Sequence, residues 1–197
     1  ICRDYSDFLS ETLPINKSLF DYLVVVTSPE DVATQKCCEH WNVHCIQTDI
    51  LGGKDFPKGA AINVGLSALS CKDWVLHLDA DIALPPLARA ILNQADLDPH
   101  MIYGCDRHTI RSAVSWRKHL RHPKLQQEAN AYVHAEAYPI ATRFCTSHMG
   151  GYVPIGFFQL WNPRCSQVRL YPESHTGAGR TDMLFAGNWP RAKRSFL

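Results

Sequence analysis

Short runs of consecutive apolar residues alternate along this chain with longer stretches whose apolar positions recur every three to four residues. Tyr22-Leu23-Val24-Val25-Val26-Thr27, Val43-His44-Cys45-Ile46-Gln47, Trp74-Val75-Leu76-His77-Leu78, Met101-Ile102-Tyr103-Gly104-Cys105 and Phe157-Phe158-Gln159-Leu160-Trp161 are too short for stable helices and read as buried strands. Ile1-Cys2 reads as the tail of a further strand. Between the strands, Ser6 can cap a helix through Leu13 with Phe8, Leu9 and Leu13 on one side, ended by Pro14 and Asn16. Ser28-Pro29-Glu30-Asp31 predicts a second helix, capped by the serine, with proline first and an acidic residue third, running to about His40. Lys58 to Ser70 predicts a third, with Ala61, Val64, Ala68 and Leu69 inward, after a Gly52-Gly53-Lys54 loop. Pro86 to Ala95 predicts a fourth, and a last helix starts near Thr181 and carries Met183, Leu184 and Phe185.

Strands that are apolar throughout, alternating with helices, predict an α/β domain with a mostly parallel central sheet covered on both faces. Its crossovers are expected to be right-handed. After Asp106 the pattern changes. Residues 107–140 are rich in His, Arg and Lys and predict one or two helices broken at Pro123. His108, His119, His122 and His134 fall there and read as solvated surface, and His148-Met149-Gly150-Gly151 reads as a flexible joint. Without a repeat or linker, residues 1–197 read as one domain.

Composition narrows the class. An apolar fraction of 46% and a charged fraction of 20% belong to a globular chain, and a net charge of +1 gives no electrostatic argument for nucleic acid or a membrane surface. No apolar run approaches the roughly 18 residues that a membrane span needs. The chain starts at Ile1 with neither a methionine nor a signal sequence, so trimming is expected. None of the eight cysteines forms a Cys-x-x-Cys pair, which argues against a zinc ribbon, and in a chain this long a reduced, cytoplasmic setting is the better expectation.

The chemistry gathers at Leu78-Asp79-Ala80-Asp81, followed by the strand-stopping Pro85-Pro86. Side chains alternate along a strand, so Asp79 and Asp81 share a side while Ala80 points away, with Cα atoms about 6.6 Å apart at about 3.3 Å of rise per residue. Two such carboxylates can converge on one hard divalent cation, or on a cation and a sugar hydroxyl. Open α/β sheets bind ligands beyond the carboxyl ends of their strands, where these residues fall. A plain acidic turn closing the strand is the alternative.

Three stretches together resemble the nucleotide-sugar glycosyltransferases of the GT-A fold, in particular the large family 2 type. They are Val24-Val25-Val26-Thr27 with Asp31, Phe56-Pro57-Lys58-Gly59-Ala60-Ala61-Ile62-Asn63-Val64-Gly65-Leu66, which is similar to the family's KGxAxNxG helix, and Leu78-Asp79-Ala80-Asp81, which is similar to its DxD. The resemblance implies a single Rossmann-like GT-A domain, with residues 1–105 as the nucleotide-binding half and 106–197 as the acceptor side. It implies a UDP- or GDP-sugar donor bound by Thr27, Asp31, Lys58 and Asp79, and Mn²⁺ or Mg²⁺ on Asp79 and Asp81. Oxygen ligands suit those ions, and Lys58 at a helix N-terminus suits phosphate. Tyr171 to Phe185 resembles the segment in which a Gly-rich turn precedes the carboxylate that deprotonates the acceptor. Asp182 takes that role, with Glu173 as the substitute, and the outcome is inversion. The family often adds a metal-binding histidine beyond that helix. No histidine follows His175, so either His175 serves or the ligand lies beyond Leu197. The basic Pro190-Arg191-Ala192-Lys193-Arg194 reads as a solvated tail or an acceptor contact.

Two other functions compete: a pyrophosphorylase-like nucleotidyltransferase, and a sugar-nucleotide-binding module without turnover. The first usually carries a Gly-rich phosphate loop after its first strand, which Cys2-Arg3-Asp4-Tyr5 lacks.

Overall fold

Four strands form a mixed sheet. In the computed structural model, which describes residues 1–71, 73–108, 110, 112–121, 140–141, 145–146, 151–166, 168–175, 177 and 179–197, these are β3 (Val75–Leu78), β4 (Ile102–Gly104), β9 (Phe158–Trp161) and β10 (Arg194–Phe196). Their order is β10-β4-β9-β3. β9 lies antiparallel to both neighbours, and β10 is parallel to β4. β1 (Val24–Thr27) and β2 (His44–Gln47) make a separate parallel pair. The chain is therefore α/β, but the described strands do not form the one mostly parallel sheet that the sequence predicts. An apolar run reports burial on both faces, not direction, and all four β9 residues are buried. Two short antiparallel pairs join β5 (Arg107–His108) to β6 (Ile140–Ala141) and β7 (Cys145–Thr146) to β8 (Gly151–Tyr152). His122, Pro123, His134 and His148 to Gly150 lie outside the described residues.

The helices are α1 (Ser6–Asn16), α2 (Val32–His40), α3 (Lys58–Ala68), α4 (Ala88–Gln94), α5 (Ala113–Leu120) and α6 (Thr181–Gly187). Alternation along the mixed sheet divides its faces. Val75, Ile102 and Trp161 turn toward Ile62 and Leu66 of α3 and Phe185 and Ala186 of α6. Tyr103, Phe158 and Leu160 turn toward Leu84 and Ala88 at α4. Val25 packs with Leu9 and Leu13 of α1 and Cys38 of α2, and Val26 packs with Ala61 of α3. Cys2 donates its N–H to the Val26 carbonyl at 2.9 Å, as a residue running beside β1 would. Among the described residues no helix is long and apolar enough to cross a membrane.

Several element ends differ from expectation. Pro14 lies inside α1, which runs on to Asn16. Asn16 is buried there, donating to the Ile82 carbonyl at 2.7 Å and accepting from the Leu84 N–H at 2.9 Å, which holds the last turn in place. Ser6 and Ser28 do not cap. Tyr5 precedes α1 without a side-chain cap, and Asp31 caps α2 by accepting from the Thr34 N–H at 3.0 Å. The basic stretch after Trp189 is structured. Lys193 pairs with Asp98 at 2.7 Å, the Arg194 Nε–H donates to the Trp189 carbonyl at 2.7 Å, and β10 follows at the sheet edge.

Candidate active site

Lys58, Asp79 and Asp182 meet at the carboxyl end of β3. Lys58 is the first residue of α3, and its ammonium stands 3.0 Å from Asp79 Oδ1 and 3.3 Å from Asp182 Oδ1. The Lys58 side chain is 9% exposed, Asp182 17% and Asp79 34%, so the cluster opens to solvent through Asp79. Burial by itself would push the Lys58 ammonium below its ordinary value. Asp79 and Asp182 outweigh it and hold the pKa above that value, so the group is charged. For Asp182 burial dominates and raises the carboxyl, against Lys58 and with help from Asp79.

Local sequence explains the convergence. Gly59 lets α3 lie directly on the Pro172 carbonyl, which a Cβ would overlap. One turn on, Asn63 accepts the Tyr171 N–H at 2.8 Å and donates to the Tyr171 carbonyl at 3.0 Å and to Glu173 Oε1 at 2.7 Å. The KGxAxNxG pattern thus clamps α3 to the segment leading into α6. A Cβ at Gly156 would overlap the Asp182 carboxylate, which hydrogen-bonds the Gly156 N–H. Glu173, the substitute base, is exposed and engaged by Asn63.

Asp79 and Asp81 do not follow strand alternation. β3 ends at Leu78, and the Ile82 N–H donates to the Asp79 carbonyl at 3.2 Å, closing a turn. The reason lies in α1: Thr12 donates to the Ala80 carbonyl at 2.6 Å, and Asn16 grips Ile82 and Leu84. Asp79 leans inward to Lys58 while Asp81 stands exposed at the rim. Partial burial and the charge of Asp79 raise the Asp81 carboxyl, and among the described residues no side chain pairs with it.

The remaining predicted residues sit apart. Asp31 is buried and accepts from the Thr34 N–H at 3.0 Å, the Asp4 N–H at 2.9 Å and the Thr27 hydroxyl at 3.1 Å. Burial opposes its charge, yet those bonds prevail and hold its pKa low. Thr27 is fully buried. His175, half-buried before α6, makes no ion pair with either aspartate. Among the described residues no three His, Cys, Asp or Glu side chains converge as a metal cage. Donor chemistry still fits a hard cation at the rim. Two carboxylates, Asp79 and Asp182, face the Lys58 ammonium, and Asp81 at the rim has oxygens to spare.

His77 was legible on the same face as this cluster but carried no assignment. It is buried on β3 with Nε2 3.7 Å from Asp79 Oδ1. The Tyr171 hydroxyl donates to Gln159 Oε1 at 2.6 Å, so its oxygen accepts from His77 Nδ1–H at 3.3 Å and Nε2 is left bare. Gln159 donates in turn to the Pro154 carbonyl at 2.8 Å and the Asp182 carbonyl at 3.0 Å. A buried chain of hydrogen bonds therefore runs from beside Asp79 to the backbone of Asp182. Burial, then the Lys58 charge, hold the His77 pKa well below its ordinary value, so the ring is neutral.

No protein-family model, curated protein or solved structure matches the chain. The glycosyltransferase resemblance accordingly rests on the sequence motifs alone.

Proposed function

We propose that the protein is a nucleotide-sugar glycosyltransferase of GT-A type that transfers with inversion. One observation carries the reading. Lys58, Asp79 and Asp182, assigned separately to phosphate, donor and base, lie within 3.4 Å contacts of one another through a single ammonium. A plain acidic turn at Asp79, a solvated lysine at Lys58 and a helix-terminal carboxylate at Asp182 give no reason for that meeting.

In this reaction the acceptor hydroxyl oxygen attacks the anomeric carbon and forms the new C–O bond. The bond from that carbon to the phosphate oxygen breaks, and its electron pair leaves with the nucleoside diphosphate. Asp182 takes the hydroxyl proton, a role favoured by its raised pKa. Lys58 offers the leaving diphosphate a cation. Asp79 and Asp81 would hold Mn²⁺ or Mg²⁺, which supplies further positive charge to the diphosphate. Gly156 and Gln159 hold Asp182 in place through its carboxylate and its carbonyl.

Incubation with a panel of UDP- and GDP-sugars and Mn²⁺ tests the proposal. Release of nucleoside diphosphate is expected. Exchange of pyrophosphate into the nucleotide sugar would point instead to a nucleotidyltransferase, and binding without turnover to a recognition module.

A further inference from the structure

Lys58 engages two carboxylates at once, and the proposed reaction needs both elsewhere. Its ammonium lies 3.0 Å from Asp79 Oδ1 and at 3.3 Å and 3.4 Å from the two Asp182 oxygens. We propose that Lys58 is a partner-exchanging latch: in the donor-free protein it ties up Asp182, and a diphosphate group draws it away, so the base is released only when a donor is bound. The inference rests on the glycosyltransferase reading and adds to it the order of events.

Three features support the exchange. The backbone of Lys58 cannot follow the ligand, because Gly59 is seated on Pro172 and Asn63 is bonded to Tyr171. Any change of partner must therefore come from the flexible side chain. The Asp182 contacts are the longer ones, and Asp182 Oδ1 makes no hydrogen bond although it is buried. The Asp182 side of the bridge is the looser, and a diphosphate oxygen is a stronger partner for an ammonium than a carboxylate oxygen held off-axis. The carboxylate would not be stranded either, since the Gly156 N–H stays on it.

The consequence is a binding order. A carboxylate paired with an ammonium is a weaker base than the same carboxylate released from it. In the empty site neither an acceptor hydroxyl nor a stray water meets a free base. Once a donor arrives, the cation moves to the leaving group and the base becomes available in the same step.

Calorimetry with inorganic pyrophosphate on four versions of the chain tests the latch: wild type, Asp182→Asn, Lys58→Met and the double variant. If Asp182 competes for the ammonium, Asp182→Asn tightens pyrophosphate binding by about 5- to 10-fold, the scale of one partly buried ion pair. With Lys58→Met already present, the same change leaves affinity within about twofold. Equal tightening in both backgrounds would be simple charge removal and would overturn the latch, as would no tightening at all. Pyrophosphate that fails to bind the wild type overturns the phosphate site itself. Lys58→Met leaves two carboxylates without their cation, so a measurement on the wild type stands beside the cycle. In chain labelled with ¹³C at the aspartate carboxyls, the Asp182 resonance, identified by its loss in Asp182→Asn, is expected to move on adding pyrophosphate. A resonance that stays put rules the exchange out.

Discussion

Asn63 holds the backbone of Tyr171 from both sides, accepting its N–H at 2.8 Å and donating a hydrogen bond to its carbonyl at 3.0 Å. The two residues lie 108 positions apart, and both backbone bonds are buried. Asn63→Ala leaves those groups unpaired, at about 1–3 kcal/mol each. Asn63→Asp restores the acceptor but sets a carboxylate against the Tyr171 carbonyl and Glu173 Oε1, so it is expected to be at least as harmful. Urea unfolding of the three chains orders them. An aspartate variant as stable as wild type would mean that the clamp contributes little.

Asp182 separates catalysis from architecture. Asp182→Asn keeps the size of the side chain and cannot take a proton. Transfer is expected to fall by about 10²- to 10⁴-fold while donor affinity is not weakened. A residue that only favours the helix dipole would lose a few tenths to about 1 kcal/mol of stability and leave turnover intact. A rate assay run beside a melting curve tells the two apart.

At the rim, Asp81 has the free oxygens and Asp79 shares its own with Lys58. Asp81→Ala is therefore expected to abolish Mn²⁺-dependent tightening of nucleoside diphosphate binding, with Asp79→Ala the milder change. Calorimetry giving wild-type affinity for Asp81→Ala with Mn²⁺ present would remove the metal from this site.

Asp31 gives a prediction in pH. Its folded pKa lies below the ordinary carboxylate value of 3.8, so the unfolded chain binds the extra proton. The stability it contributes is complete above that value and is lost as pH falls through the folded pKa. Asp31→Ala should cost about 1–2 kcal/mol at pH 7 through loss of the helix cap. The gap between the two chains should narrow below about pH 4. A gap of constant width from pH 7 to pH 3 would mean that the carboxylate charge is irrelevant to the cap.

The hydrophobic pattern located β1 to β4 and β9 to within two residues, most plainly β1, β4 and β9, whose residues are nearly all buried. It could not give the direction of β9, which depends on where the chain travels between Cys105 and Phe157. β10 was hidden by its charge. Arg194 and the preceding Lys193 look solvated until Trp189 and Asp98 supply their partners. Lys58, Asp79 and Asp182 were legible as separate polar positions beside glycines and strand ends. Their common ammonium was not, since it depends on Gly59 and Asn63 drawing two remote segments together. Strand alternation misplaced Asp81, because Thr12 and Asn16 take the backbone there out of the ladder.

His77 and Gln159 face each other across β3 and β9, and Tyr171 joins them above the sheet. Such a trio constrains how the sequence can drift. Replacing one member strands its partners in an apolar core, and replacing all three with hydrophobic residues still leaves the Pro154 and Asp182 carbonyls without their Gln159 donor. Piecemeal change at these positions is therefore costly, and even a joint replacement loses the bond that holds Asp182 from behind. In this fold, a more robust core and a well-placed carboxylate draw on the same few side chains.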